Sequence, residues 1–274
     1  MIKVEKNFDK IPNIFTIKPS RGNSRESAFK DSIKKGKYTG KNLYKVESVQ
    51  KVLNSIYNLK CAYCEQKLLD TPKHIEHYRP KDIYYWLAFS WDNLLLSCGS
   101  CNSSKGSKFL IEKARIIHTV EKFKDIHNLS DDYDLRESPM IINPEKDDIL
   151  NDIIFDKSGK ITSFNRRVLH TIDNACSLNR DELVEKRVTI INDFYKSIES
   201  YELIFNRNSE IDKKEAVKYF IDIIEIFIKK CKKENEFYAL RYFMLSNISI
   251  FIDNEDMVKI IEYLFKKYGL CNEK

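Results

Sequence analysis

Two Cys-x-x-Cys pairs, Cys61-Ala-Tyr-Cys64 and Cys98-Gly-Ser-Cys101, constrain this chain more than any other feature in it. Each pair presents two thiolates from one turn, and two such pairs complete a four-sulfur tetrahedron of the kind that favours Zn2+. The 33 residues between them exceed the roughly 15–20 of a simple zinc ribbon. A folded insert, most simply a strand hairpin, is therefore expected inside the loop that the metal closes. Cys176, Cys231 and Cys271 stand alone in the sequence and read as ordinary buried or idle thiols.

The opening MIKVEKNFDK has no apolar h-region, and no segment approaches 18 uncharged apolar residues. A cytoplasmic location with no membrane span is expected, and in a reducing compartment paired cysteines suit a metal better than a disulfide. Charge is divided unevenly along the chain. Residues 1–118 hold 22 Lys/Arg against 11 Asp/Glu, a balance of +11, whereas residues 119–274 hold 25 against 30, a balance of −5. A basic front half points to a polyanionic partner, nucleic acid.

The insert carries more than scaffold. Within HIEHYRP lies the dipeptide Glu76-His77; Asn93 follows 16 residues after His77, and Asn102 comes directly after the last cysteine. Hydrolysing a phosphodiester needs a deprotonated water, neutralised phosphate charge and help for the leaving oxygen. Glu76 offers a carboxylate and Asn102 an amide oxygen, both hard ligands suited to Mg2+ or Mn2+. His77 alternates with Glu76 along a strand and so stays off the metal, free to serve as general base. Asn93 is placed to orient that base by holding its ring or its loop. Arg79, Lys81 and Lys105 are expected to bind flanking phosphates.

This arrangement resembles the HNH, or ββα-metal, nuclease motif in its zinc-stapled form, carried by IEHYRP, SWDNL and CGSCNSSKG. Two positions depart from the common pattern. Glu76 stands where Asp is usual, moving the carboxylate by about one carbon–carbon bond, ~1.5 Å, and Asn102 stands where His is frequent. Beyond the core, IEHYRPK, SPMIINPEKDD, IIFDKSGKI and TIDNACSLNRDELVEKR are similar to the PtuB-like HNH nucleases of Septu anti-phage systems and retron-associated defence cassettes, over about residues 45–190. The resemblance implies an antiviral effector acting with a PtuA-like ATPase of the ABC/SMC type. It also places Asn179, Arg180 and Arg187 in a shared second-half motif, with a role in the fold or in partner contact.

The expected fold class is α+β: a zinc-stapled ββα-metal core with a mostly α-helical C-terminal region. Four segments are expected: a basic arm over 1–41, the nuclease core over 42–120, a hairpin-and-helix extension over 121–190, and a helical region over 191–274 able to dock a partner. Helical spacing of Val46, Val49, Leu53 and Ile56 predicts a helix over 42–58. Residues 73–79 and 83–97 read as strands separated by Pro80, 131–138 as a charged loop, and 153–164 as a hairpin turning at Ser158-Gly159. An Asn or Ser of CNSSKGSK is expected to cap a helix. His74, His118, His127 and His170 read as structural or solvated, and Trp86, Phe89 and Trp91 as packing rather than base-stacking platforms. Two other functions compete with the nuclease: a zinc-knuckle module that holds nucleic acid without cutting it, and a structural zinc adaptor whose helical half does the binding.

Overall fold

The computed structural model describes residues 1, 3–8, 11–16, 24–118, 120–205 and 210–268; Cys271 and residues 17–23 of the expected basic arm lie outside them. The chain divides into two compact units. The first comprises Met1–Asp152 with Ser163–Leu178, and the second Ile153–Thr162 with Asn179–Lys274.

In the first unit, helices α1 (Asn13–Thr16), α2 (Ser24–Lys35) and α3 (Glu47–Ile56) precede a two-stranded antiparallel sheet of β1 (Lys73–His77) and β2 (Leu94–Cys98). The register pairs Glu76 with Leu95 and His77 with Leu94. β2 reads LLLSC and is buried along its whole length. Leu94, Leu95 and Leu96 are completely covered, and each such side chain stabilises the fold by about 1.5–3 kcal/mol. Helix α4 (Gly99–Lys105) follows with no loop between, so strand, metal knuckle and helix form one continuous element.

α3 buries Val49 and Leu53 as its period requires. The expected strand over 83–97 is realised only at Leu94–Cys98. Upstream, Tyr85–Leu87 and Trp91–Asn93 form 3-10 turns, because Trp86, Phe89 and Trp91 are packed inside rather than alternating across a sheet. Residues 131–138, expected as a loop, lie in α5 (Ser130–Glu137) up to Glu137. The Asp92 carboxylate accepts the Leu129 and Ser130 amides at 2.6 and 2.8 Å, a tertiary cap for the first turn. Short α6 (Arg166–His170) closes the unit, capped by the Asn165 side chain.

The N-terminal residues are not a detached arm. Lys6 donates to the carbonyls of Trp91 and Leu94 at 2.8 and 2.6 Å and pairs with buried Glu145 at 2.6 Å; Phe15 and Phe29 are buried. Burial of their aromatic and aliphatic atoms outweighs the basic composition that suggested a solvated segment.

The second unit joins a hairpin, β3 (Ile154–Phe155) and β4 (Ile161–Thr162), to helices α7 (Asp181–Phe205), α8 (Glu210–Lys230), α9 (Tyr238–Ser246), α10 (Ile248–Phe251) and α11 (Glu255–Lys267). The apolar stripes meet as expected of a bundle: Phe194 stacks near Phe227 with centroids 4.7 Å apart, and Tyr201 near Phe220 at 4.6 Å. No described helix is long and apolar enough to cross a membrane.

Asn179 and Arg187, set apart by the resemblance, serve this hairpin. Asn179 accepts the Ile161 amide and donates to the Ile161 carbonyl, both at 2.8 Å, and Arg187 donates to the Gly159 carbonyl at 3.2 Å. Gly159 has φ +75°, and a Cβ there would lie 2.9 Å from Val188, so the tip needs glycine. Asn179→Ala removes both partners of Ile161 at once. It should lower stability by about 1–3 kcal/mol, measured as a shifted urea midpoint for the full chain.

Candidate active site

The site is assembled from the knuckles upward. In the first, the Cys61 amide donates to the Gln66 carbonyl at 3.0 Å and the Ala62 amide to the Leu96 carbonyl at 2.8 Å, which seats the turn on β2. In the second, the Cys98 sulfur accepts the Cys101 amide at 3.4 Å. Thus Cys98, rather than the expected Asn or Ser, caps α4.

The four sulfurs lie within 4.8 Å of one another and all four residues are buried; Cys64 and Cys98 are 3.8 Å apart, sulfur to sulfur. A tetrahedron with Zn–S bonds of about 2.3 Å has edges of about 3.8 Å. Burial pushes the Cys61 thiol up, while donation from the Cys101 thiol pulls Cys98 and Cys64 down. Four such groups become thiolates together only around a cation. The donor set fits zinc.

β1 delivers Glu76 and His77 into a cleft of about 240 Å³, whose lining also includes Tyr44, Lys81, Asp82 and Asn102. Half-buried Asn102 reaches it from α4, one residue beyond the metal knuckle. His77 is buried; its Nε2 lies 3.0 Å from the Ala88 carbonyl oxygen, and the Tyr44 ring meets it edge-on at 4.5 Å. A carbonyl can only accept, so Nε2 carries the proton and Nδ1 keeps its lone pair. Burial drives the imidazole pKa down to about 3, against the opposing pull of the Ala88 carbonyl. The ring is neutral near pH 7, the form a base requires.

Glu76 is also buried. Burial raises its carboxyl above the ordinary range, partly countered by Lys105. Lys105 Nζ donates to Glu76 Oε1 at 2.8 Å and to the His77 carbonyl at 2.7 Å. Glu76 and Asn102 both line the cleft, and a carboxylate with an amide is a hard-oxygen donor set that fits a divalent cation retaining most of its own water.

Asn93 does not touch the His77 ring. Its Oδ1 accepts the Arg79 amide at 2.7 Å, and its Nδ2 donates to the Arg79 and Leu87 carbonyls at 3.0 and 3.1 Å. It ties the backbone just after β1 to the loop that supplies the Ala88 carbonyl.

Two expected phosphate contacts are corrected by burial. The Arg79 side chain is 1% exposed and pairs with Glu137 at 2.9 Å and Asp134 at 2.7 Å. Glu137 also accepts Tyr84 Oη at 2.7 Å and the Ile116 amide at 2.9 Å. Lys105 is wholly buried against Glu76. Both cations are spent inside the protein; Lys81 stays partly exposed on the cleft, paired at 3.5 Å with the exposed carboxylate of Asp82. Sequence reasoning missed Tyr44, Asp82, Asp134, Glu137 and the Ala88 carbonyl, none of which belongs to a short motif. Of the histidines read as structural, His127 is buried and accepts the Trp91 amide at 3.3 Å. His74, read as solvated, lies on the cleft rim.

Zinc knuckles, antiparallel strands and a following helix enclosing a His–Asn–Asn set define an HNH endonuclease domain, and residues 61–108 match the HNH endonuclease family model. Septu protein PtuB of Bacillus mycoides (strain KBAB4) is 31% identical over 211 residues, 70% of this chain and 68% of that protein. Septu protein PtuB of Bacillus thuringiensis is 29% identical over 232 residues, 80% and 74% of the two chains. A further similarity, 26% over 159 residues, covers 53% of this chain but 21% of Septu protein PtuA of Bacillus mycoides (strain KBAB4). The chain belongs to the PtuB family of HNH Septu proteins.

The Arg79–Glu137 tie lets α5, outside the 61–108 match, brace the end of β1. Glu137→Ala leaves a buried guanidinium short of a partner. It should cost about 3–5 kcal/mol in urea unfolding, whereas Asp134→Ala, at a carboxylate 24% exposed, should cost less.

Proposed function

We propose that the chain is a metal-dependent endonuclease that hydrolyses phosphodiester bonds in nucleic acid as the effector of an anti-phage Septu system. The observation that carries this reading is the neutral imidazole of His77, tied through Nε2 to the Ala88 carbonyl and lining one cleft with Glu76 and Asn102. With Nε2 committed, Nδ1 takes the proton from the attacking water. Asn93 keeps the strand end and the 87–88 loop in register, so that the lone pair stays aimed as the charge on the ring changes. Lys81, which lines the same cleft, meets the neighbouring phosphate in this reading. A divalent ion such as Mg2+ or Mn2+, when bound, neutralises phosphate charge and assists the departing oxygen. Glu76 and Asn102 are the residues that would hold it. Cys61, Cys64, Cys98 and Cys101 hold Zn2+ as scaffold and take no part in the proton transfer.

The partner in this reading is a PtuA-like ATPase, supported by the family of the chain and by its partial similarity to a PtuA protein. The helical second unit, whose residues belong to the acidic half of the sequence, is the surface offered for docking. One observation favours the second reading, a zinc module that binds without cutting: the one buried carboxylate of the cleft already has a cationic partner in Lys105. His77→Ala separates the two. The variant should keep its fold and zinc and lose at least about a hundredfold of Mg2+- or Mn2+-dependent nicking, the low end of what a general base contributes, assayed on plasmid DNA and on tRNA. Equal nicking by variant and wild type would dismiss the enzyme; gel retention without nicking by either would favour the binding module.

A further inference from the structure

Among the described residues, Lys105 is the cation whose charged group bonds both Glu76 and the His77 backbone. Its side chain is 0% exposed, and Nζ reaches both Glu76 Oε1 at 2.8 Å and the His77 carbonyl at 2.7 Å. It lies three residues after Asn102 on α4, so the helix that brings the amide oxygen to the cleft also brings an ammonium to the carboxylate. The charged groups around the cleft are Glu76 and Asp82 against Lys45, Lys81 and the adjoining Lys105. That is three positive against two negative, a balance of +1 among the lysines and carboxylates. Asp82 is itself engaged, accepting the Ser107 hydroxyl at 3.2 Å. No surplus of negative charge draws a divalent cation into the empty-handed protein.

We propose that Lys105 is a positioning residue and internal counter-cation: it fixes Glu76 with Oε2 toward the cleft and keeps the divalent-metal affinity of the free protein low, so that metal and phosphodiester must bind together. This inference rests on the nuclease reading of the cleft for its use, but its physical content is the coupling between the ammonium and the metal. Two like-signed groups sharing one carboxylate repel strongly in a partly buried site. An incoming phosphodiester supplies the missing negative charge, and metal and nucleic acid then raise each other's affinity by the same factor. A resting effector held in this way stays poorly loaded with metal until its target is in place.

The test is Mn2+ titration of the zinc-loaded, full-length protein, followed through the loss of the free-ion electron paramagnetic resonance signal. Lys105→Gln should bind Mn2+ at least about tenfold more tightly than wild type, the effect of relieving even a small part of a close like-charge repulsion. Lys105→Arg, which keeps the charge, should stay near wild type, and adding Glu76→Gln to Lys105→Gln should abolish the gain. If Lys105→Gln does not fold alone, Mn2+ should restore its circular dichroism and zinc content. Equal or weaker Mn2+ binding by Lys105→Gln at full zinc content, or failure of Mn2+ to restore an unfolded variant, overturns the proposal. Nicking by the wild type in Mn2+ is scored separately. Its absence, with the tenfold gain present, would remove the nuclease reading and leave the coupling; nicking with no gain would do the reverse.

Discussion

Four buried sulfur atoms within 4.8 Å of one another are the constraint on which the rest of the site depends. The sheet beside them is two strands of five residues each, too little to be stable alone. A metal contributes free energy that so small a ββα element lacks, and it does so at the junction of β2 and α4. From that junction α4 runs for seven residues, about 10 Å. Asn102 and Lys105 are therefore placed by the same event that satisfies the cysteines. Lys105 returns to β1 and takes Glu76 and the His77 carbonyl. The four-sulfur cluster is thus linked to the proposed base through one helix and one side chain.

A second set of contacts approaches the strand from the other end. Asn93 grips the backbone of Arg79 from both sides, and the Arg79 guanidinium is anchored to Glu137 and Asp134. His77 thus sits between a helix held by metal and a turn held by ions. Buried ion pairs add little net stability, yet losing one partner is costly; such contacts suit a site that has to be rigid rather than merely folded. Preorganisation of this kind is what a neutral imidazole with one nitrogen committed requires, since the lone pair on the other must already face its target.

Much of this was legible in the sequence where the signal is local. The Cys-x-x-Cys spacing, the helix carrying Val49 and Leu53, the hairpin turning at Gly159 and the apolar stripes through Phe194 and Phe220 all express short-range periodicity or turn chemistry. What escaped was long-range. Arg79 and Lys105 looked like phosphate ligands because a motif shows that a residue is cationic and near the site, not whether a carboxylate some 58 or 29 positions away reaches it first. Residues 131–138 looked like a loop because their charges are dense; the cap that makes α5 comes from Asp92, 37 residues before Leu129. The N-terminal segment looked like a basic arm because of its net positive charge, whereas Lys6 is buried against Glu145, 139 positions away.

Hydrogen–deuterium exchange of the zinc-loaded protein before and after removal of the metal by a chelator measures the central dependence most directly. The account predicts that protection collapses first and together in residues 73–78 and 94–105, while amides of α7, α8 and α11 retain theirs. Unchanged protection across the β1, β2 and α4 segments in metal-free protein would contradict it, because the strand presenting Glu76 and His77 would then hold its shape without the sulfur-bound ion.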